Sequence, residues 1–231
     1  MEYGYYPGCS LTGSAKKLNR GVREICKKLG HTLSEIPDWN CCGAVEYGDR
    51  NELVRISGEN LKKAEGIHRE IVVPCPACYK NLKDADSAGS FNILSPLELL
   101  SPENLSQMKQ LKDLRGQVFF PYYGCLLMRP EGSSIKNKNI MEDAITVFGG
   151  EIDGEKMKDR CCGGNQLFLN KWATEKLSSL ILSKSRGTVV VFCPFCHMAM
   201  KTFGVGRKVI YLTDLLPVSY THLTLPTIYS V

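Results

Sequence analysis

Cysteine is the residue type whose number and spacing in this sequence point most directly to chemistry. The chain of 231 residues contains 11 cysteines, and ten of them form two sets with one pattern: a single cysteine, a Cys-Cys-Gly triplet and a Cys-x-x-Cys pair. Thiolates in such numbers bind soft metals and iron–sulfur groups, or act as redox thiols. The first cysteine set is Cys9, Cys41, Cys42, Cys75 and Cys78, and the second cysteine set is Cys125, Cys161, Cys162, Cys193 and Cys196.

The two sets belong to an internal repeat. Cys125, Cys161 and Cys193 follow Cys9, Cys41 and Cys75 by 116, 120 and 118 residues. Flanking residues repeat as well, since Tyr-Pro-Gly-Cys before the first set matches Tyr-Tyr-Gly-Cys before the second, and Val-Val-Pro-Cys-Pro-Ala-Cys matches Val-Val-Phe-Cys-Pro-Phe-Cys. Such a repeat indicates two copies of one structural unit. We expect domains at residues 1–115 and 116–217.

The remaining composition narrows the class of protein. The N-terminal residues lack the basic start and apolar run of a secretory signal, and the longest apolar run, 189–200, is too short to span a bilayer. We therefore expect a cytoplasmic chain with no membrane span, in which thiols stay reduced. The formal net charge of +5 comes without a concentrated basic run, which argues against nucleic-acid binding.

Each half has the pattern strand, helix, strand, cysteine pair, helix, strand, Cys-x-x-Cys, helix. An apolar stripe predicts a helix that Gly30 ends, and further helices are expected over 51–66, 140–148 and 166–183, with strands over 70–73, 117–120 and 188–192. The segment 97–117 is expected to be a linker. The alternation predicts an α/β fold of two pseudo-symmetric repeats, each a small, mostly parallel sheet with helices. Its cysteines would lie at the carboxyl ends of the strands, where open sheets bind ligands.

Five thiols per half are one more than the tetrahedral site of zinc uses. Adjacent cysteines such as Cys41 and Cys42 suit neighbouring irons of a larger cluster better than one small ion. Gly43 and Gly163 would let the backbone pass close to inorganic sulfide, because glycine has no Cβ. From the residues alone we keep three alternatives: iron–sulfur clusters, zinc in at least one half, and plain redox thiols. The eleventh cysteine, Cys26, lies on the apolar helix face and is expected to be buried.

These motifs resemble the cysteine-rich CCG domain family, and within it the B subunits of CoB–CoM heterodisulfide reductase. The resemblance covers about residues 2–216 and includes both cysteine motifs in full. It implies that each cysteine set holds a non-cubane [4Fe–4S] cluster, two clusters in all, with zinc in one half as a minor alternative. The residues that carry the resemblance lie at 6–11, 38–43, 74–78, 123–127, 161–164 and 193–196.

The resemblance also implies a function. The family reaction, which serves methanogenesis in some members, reduces a disulfide to two thiols, with no catalytic residues expected here beyond the cluster ligands. No flavin or nicotinamide motif is visible in the sequence, because Gly204-Val205-Gly206 lacks the third glycine of the dinucleotide fingerprint. The implied partners are therefore a flavin-containing protein and a ferredoxin-like protein of the same complex. The alternative is a non-catalytic electron-transfer component of a system that oxidises lactate, glycolate or glycerol phosphate.

The end of the chain differs from the rest. Residues 218–231 carry no Asp, Glu, Lys or Arg and do not match the family pattern. They resemble translated sequencing-adapter sequence, and we interpret them as a non-native tail without a functional role.

Overall fold

A computed structural model describes residues 1–44, 49–108, 113–129 and 133–216. The proposed non-native tail, 218–231, lies outside these residues. The described chain contains two four-stranded sheets in which every strand pairing is parallel. The predicted α/β fold of two repeats is therefore confirmed.

The first sheet has the strand order β2-β1-β3-β4. Its two inner strands, β1 and β3, carry buried Tyr and Val side chains. Among these, Tyr5 and Val72 lie opposite each other in the register. The elements of this half, in chain order, are β1 (Glu2–Tyr5), α1 (Gly8–Thr12), α2 (Lys16–Lys28), β2 (Thr32–Glu35), α3 (Arg50–Ala64), β3 (Glu70–Val72), α4 (Pro76–Ala85) and β4 (Asn92–Leu94).

The second sheet repeats this order as β6-β5-β7-β8. Its central strands are buried almost throughout, as expected for a parallel sheet that is covered on both faces. After the short helix α5 (Pro102–Gln107), the elements of this half are β5 (Val118–Tyr122), α6 (Cys125–Met128), α7 (Ile140–Val147), β6 (Glu151–Ile152), α8 (Lys171–Ser183), β7 (Thr188–Val191), α9 (Pro194–Phe203) and β8 (Val209–Tyr211).

Local sequence explains where the longer helices begin and end. Helix α2 buries Leu18, Val22 and Ile25 on one face, and Gly30 follows it with a φ of 76°, a conformation that glycine adopts without steric cost. Helices α3 and α8 occupy the same place in the two repeats and begin in the same way. The side chain of Asp49 accepts hydrogen bonds from the first turn of α3, and that of Asn170 accepts one from the first turn of α8.

Three expectations about the elements need correction. Each sheet has a fourth strand, β4 or β8, that the sequence pattern did not indicate, because three residues are too few to show a period. The helix expected over 166–183 begins at Lys171, and a 3-10 turn over Gly164–Gln166 precedes it. The segment 97–117 is more than a linker, because it contains α5, whose buried Leu105 lies where α5 packs against α7.

The two halves meet along α2. Lys17 forms a 2.9 Å ion pair with Asp214, which belongs to the 3-10 turn Leu212–Asp214 of the second half. One turn along α2, Gly21 faces Thr213, and a Cβ added to Gly21 would lie only 2.5 Å from the Thr213 Cβ. The absence of a side chain at Gly21 therefore allows the two halves to approach this closely. None of the described helices is both long and apolar enough to cross a membrane.

Replacing this glycine should weaken the packing of the halves. We expect Gly21→Ala to lower the free energy of unfolding by about 1–3 kcal/mol, the range for overpacking a tight contact. The matched control is Gly58→Ala in α3, where no atom lies within 4 Å of the added methyl; that substitution should raise stability by about 0.5–1 kcal/mol because glycine is a poor helix former. Urea denaturation followed by circular dichroism measures both. Equal effects of the two substitutions would contradict the contact.

Candidate functional site

Every motif cysteine lies at or beyond the carboxyl end of a strand. Cys9 follows β1, and the adjacent pair Cys41 and Cys42 follows β2. Cys75 follows β3 and stands immediately before α4, so that Cys78 falls in the first turn of that helix. The second set has the same placement after β5, β6 and β7. Because all strands of a sheet are parallel, their carboxyl ends bring the five cysteines of each set to one edge.

The sulfurs of the first set lie within hydrogen-bonding distance of one another. The Sγ atoms of Cys42 and Cys78 are 3.0 Å apart, and those of Cys9 and Cys41 are 3.6 Å apart. Cys75 also hydrogen-bonds to Cys78, and Cys41 to Cys42, so the set forms one connected group. Cys9 is exposed at the surface, whereas Cys42, Cys75 and Cys78 are buried.

The second set repeats this arrangement. The Sγ atoms of Cys162 and Cys196 are 3.4 Å apart, Cys125 hydrogen-bonds to Cys161, and Cys193 hydrogen-bonds to Cys196. Cys161 is exposed, and the last three cysteines of the set are buried. All ten residues are free thiols. Among the described residues, no three His, Cys, Asp or Glu side chains are placed to hold one metal ion.

Proline and the helix start organise each Cys-x-x-Cys segment. Pro76 and Pro194 stand at the first position of α4 and α9, where a missing N–H costs no hydrogen bond. The helix N-terminus then directs backbone N–H groups at the preceding sulfur. The pKa of Cys75 is lowered by the hydrogen bond from Cys78 and by the N–H groups of Cys78 and Ala77. The fold therefore favours a thiolate at the start of α4.

The adjacent cysteines also include thiols that ionise readily. Hydrogen bonds from Cys42 and Cys9 lower the pKa of Cys41 to about 2. In the second half, the hydrogen bond from Cys125 lowers the pKa of Cys161 to about 6, with help from the N–H of Gly163. A thiolate is the form that binds metals. Each set thus has at least one thiol whose lowered pKa favours the thiolate at neutral pH.

One glycine in each set, Gly8 or Gly124, allows the backbone to pass close to a buried cysteine sulfur. The cysteine pattern alone did not predict this role. Gly8 precedes Cys9 and has a φ of 69°, and a Cβ added there would lie 2.9 Å from the Sγ of Cys78. Gly124 precedes Cys125 in the same way, with a φ of 75° and a distance of 3.0 Å to the Sγ of Cys196. Any side chain at these positions would enter the sulfur group. Their recurrence in the repeat, Gly-Cys in both halves, is the signal that could have identified them.

The glycines of the Cys-Cys-Gly triplets face the neighbouring helices, whereas we expected them to make room for inorganic sulfide. The Cβ direction of Gly43 faces Leu53 of α3 at 2.7 Å, and that of Gly163 faces the Thr174 backbone of α8 at 2.9 Å. Both have a positive φ. The reason for glycine here is thus the turn and the close helix, because the missing side chain points to the helix and away from the sulfurs.

Hydrogen bonds hold each cysteine pair to the following helix. Ser57 of α3 donates to the carbonyl of Cys42 at 3.2 Å, and Ser178 of α8 donates to the carbonyl of Cys162 at 3.0 Å. Tyr6 and Tyr122 donate to the carbonyl of the residue before each pair. Burial raises the pKa of both tyrosines, and nearby cysteine charges raise it further, so both remain neutral donors.

A cavity of about 200 Å³ lies between the halves beside the second set. All five cysteines of the second set line it. The opposite wall comes from α4 of the first half, with Pro76, Ala77, Lys80 and Asn81. Tyr211 is a further link between the sets, because burial and the charges of Cys193 and Cys75 all raise its pKa. The two sets therefore belong to one region between the halves, and the cavity gives a ligand access to the second.

Cys26 differs from the motif cysteines. It lies in α2 with 1% of its surface exposed, as expected for a packing residue. Burial raises its pKa to about 12. It therefore offers a thiol of the same chain that should neither bind metal nor react.

The unequal acidities predict the order of alkylation in metal-free protein. At pH 7, iodoacetamide should modify Cys161 faster than Cys9, although both are exposed, because the pKa of Cys161 is about 6 whereas hydrogen bonding to Cys41 raises that of Cys9. The Cys161 rate should persist as the pH falls to about 6 and decline below it, since its lowered pKa keeps the thiolate down to that pH. Peptide mass spectrometry measures the rates, with Cys26 as the unreactive control. Faster modification of Cys9 or Cys26 would contradict the assignment.

Comparisons with known proteins agree with this geometry. The chain is 25% identical to the membrane anchor of the 8-methylmenaquinol:fumarate reductase of Wolinella succinogenes, with 87% of this chain and 82% of that protein covered. It is 22% identical to the B subunit of the ferredoxin:CoB-CoM heterodisulfide reductase of Methanosarcina mazei, with 83% and 76% covered. It is 24% identical to the B subunit of the ferredoxin/F(420)H(2)-dependent CoB-CoM heterodisulfide reductase of Methanosarcina acetivorans, with 84% and 77% covered.

Among solved structures, glutamate racemase RacE1 of Bacillus anthracis overlaps with a TM-score of 0.39 at 14% identity, covering 93% of this chain and 78% of that one; this value is too low to establish a shared fold. The family comparison is more direct. The cysteine-rich domain model CCG matches twice, over residues 3–83 and 119–201. These ranges contain both cysteine sets and, in chain order, nearly all of the first three strands of each sheet. The chain therefore belongs to the CCG cysteine-rich domain family, with two copies of the domain.

Proposed function

We propose that this chain is the iron–sulfur catalytic component of a cytoplasmic heterodisulfide-reductase-like complex, which reduces a disulfide to two thiols. Each cysteine set would hold one non-cubane [4Fe–4S] cluster, with domain limits at 1–115 and 116–217. The observation that carries the proposal is the gathering of five free thiols at two equivalent places, beside a cavity between the halves. The similarity to two heterodisulfide reductase B subunits supports the same interpretation.

The residues present fit such clusters. Thiolates are the ligands of iron–sulfur groups, and each set offers five, of which at least one has a strongly lowered pKa. Gly8 and Gly124 keep the space beside the buried sulfurs free of any Cβ. The carbonyls behind the cysteine pairs are held by Ser57 and Ser178, so the paired ligands are fixed in position. When bound, the clusters would supply electrons one at a time to the substrate.

The chain's own residues would bind and orient the disulfide. Reduction of a disulfide to two thiols consumes two electrons and two protons. The cavity beside the second set is mostly apolar, with Phe195 and Leu126 in its wall and Lys80 and Asn81 as polar groups, which suits a sulfur-containing aliphatic ligand with a polar end. Because the sequence has no visible flavin motif, the electrons would come from a flavin-containing protein and a ferredoxin-like protein of the same complex.

A second candidate function is electron transfer without substrate chemistry. It is favoured by the similarity to the Wolinella succinogenes protein, which belongs to a methylmenaquinol:fumarate reductase. In this case the chain would pass electrons between a quinol-linked partner and an oxidoreductase, as in systems that oxidise lactate, glycolate or glycerol phosphate. The same ligands would hold the clusters, so only the reaction separates the two candidates.

Metal analysis and an anaerobic assay test the proposal. Reconstituted protein should contain about eight irons per chain and no zinc. Cys42→Ser and Cys162→Ser should each lose roughly half of the iron, because each removes a buried ligand of one set. With reduced viologen as donor, the wild-type chain should reduce members of a panel of alkyl disulfides, as measured by viologen oxidation and thiol formation.

Cys26→Ser is the matched control for these variants, since Cys26 is buried but lies outside both sets; its iron content should equal that of the wild type. Four or fewer irons per chain, or stoichiometric zinc, would exclude two clusters. Full iron content with no turnover of any disulfide, even with partner proteins present, would favour the electron-transfer function.

Gly8 and Gly124 provide an independent test of where the clusters lie. Gly8→Ala or Gly124→Ala should each reduce iron content by about half, since the new methyl would contact Cys78 or Cys196. Gly30→Ala is the control: its φ of 76° gives a similar backbone strain of roughly 1–2 kcal/mol, but no atom lies within 4 Å of the added Cβ. Iron content and the visible absorbance of the three purified variants give the answer. Equal iron loss in Gly30→Ala would attribute the effect to backbone strain alone.

A further inference from the structure

One surface of the second half carries an unusual concentration of exposed apolar side chains. Eight large hydrophobic residues are exposed among the described residues, and five of them fall in or just before α8. Trp172 is 68% exposed and Phe168 75%. A concentration of exposed apolar side chains is typical of an interaction site, and tryptophan is among the residue types most often central to one. We name these residues the α8 face: Phe168, Leu169, Trp172, Leu177 and Leu180.

The first repeat shows that the fold itself does not require this face. Ser57 and Ser178 make the same hydrogen bond in α3 and α8, which aligns the two helices. Asn51 then corresponds to Trp172, and Glu59 corresponds to Leu180. Helix α3 exposes polar residues at its surface, and Glu59 pairs with Lys62 at 3.0 Å. At these two positions the apolar residue is therefore specific to the second half, whereas Leu177 corresponds to the apolar Ile56 of α3.

The α8 face is continuous with the second cysteine set. Leu177, a member of the face, lies 3.1 Å from the Cβ direction of Gly163, and Thr174 donates a 2.8 Å hydrogen bond to the Gly163 carbonyl. Gly163 directly follows the exposed Cys161 and the buried Cys162. A molecule that covers the α8 face would thus lie beside the solvent-facing edge of this set.

The border of the face is basic. Lys171 and Lys176 of α8 and Lys184 directly after it are exposed, against one acidic residue of that helix, Glu175. The Lys176 Nζ lies 6.0 Å from the centre of the Trp172 ring. An apolar centre with a positive border is complementary to a partner with an apolar contact surface and acidic surroundings.

We propose that the α8 face is the docking surface for an acidic iron–sulfur protein that donates electrons, and that electrons enter the chain at the second cysteine set. The inference rests on the proposed function, because only a chain that consumes electrons needs such a donor. A protein is favoured over a lipid surface since reduction requires a redox group at the exposed edge of the set, which lipid does not supply. Each encounter transfers one electron, so the donor is oxidised and the chain reduced by one equivalent. Two encounters and two protons from solvent convert one disulfide to two thiols.

The test compares two electron donors with one variant. W172N/L180E places the residues of α3 at the matching positions of α8, so it removes the apolar centre with residues that the fold already carries at the corresponding places. Reduction of the full-length holoprotein is followed by stopped-flow absorbance with a reduced two-[4Fe–4S] ferredoxin, an acidic protein, or with reduced methyl viologen. The variant should lower the ferredoxin rate roughly tenfold or more, and should leave the viologen rate unchanged. Val205→Glu, which alters an exposed apolar residue outside the face, should change neither rate.

Equal ferredoxin rates in the wild type and W172N/L180E would overturn the proposal. Two further results would overturn it if the ferredoxin rate stayed the same. One is the loss, in the double variant, of a dimer seen by analytical ultracentrifugation, and the other is the loss of binding to vesicles of phosphatidylcholine and phosphatidylserine. Protection of Trp172 from hydroxyl radicals in the free full-length chain would show that another part of the protein covers the face, and would overturn the proposal too. Failure of the proposed function is distinguishable, because the wild type would then lack iron or would reduce no disulfide with viologen.

Discussion

The approach of a glycine to a cysteine sulfur sets the dimensions of both candidate sites. Gly8 and Gly124 pass so close to Cys78 and Cys196 that an added Cβ would lie at 2.9 and 3.0 Å. This contact is possible only because the chain turns with a positive φ between the strand and the following cysteine. It brings the single cysteine of each set against the Cys-x-x-Cys helix, although the two are far apart in sequence. The rest of each half serves to hold these two segments in place.

The parallel sheets provide most of that support. Pairing of β1 with β3, and of β5 with β7, places two cysteine-bearing loops side by side at the carboxyl edge. The third loop, with the adjacent cysteines, follows an edge strand by several residues and is also held by hydrogen bonds. Ser57 and Ser178 bind its carbonyl from the following helix, and these serines are fully buried. The Cys42 carbonyl also accepts a 3.0 Å hydrogen bond from Asn81, so the first cysteine pair is held from both α3 and α4, and Ser178 holds the second pair from α8.

The repeated residues of the sequence predicted the fold and the grouping of the cysteines. Features that depend on a few local contacts, such as short strands and helix starts, could not be predicted from it. The cysteine pattern predicted which residues gather in each half, and the strand-helix alternation predicted two parallel sheets. The three-residue strands β4 and β8 were missed, since edge strands of this length show no periodicity and depend on their neighbours. The beginning of α8 was predicted five residues too early. Residues Gln166 to Leu169 fit a helical pattern, but a separate 3-10 turn, Gly164–Gln166, stands before α8, which begins at Lys171. Sequence alone also assigned Gly43 and Gly163 to the sulfur site, whereas their Cβ directions face the helices.

The duplication preserved the site in each half and changed its surroundings. The glycine contacts, the buried serines and the tyrosine hydrogen bonds recur in both halves. In contrast, the cavity is lined by all five cysteines of the second set and by residues of α4 from the first half. Helix α3 carries Asn51 and Glu59 where α8 carries the exposed Trp172 and Leu180. The contacts that set the cysteine geometry are alike in the two halves, whereas the residues that face the cavity and the surface differ. Two equivalent sets in unequal surroundings can differ in access and in partner, and such a difference is what an ordered transfer of electrons through the chain requires.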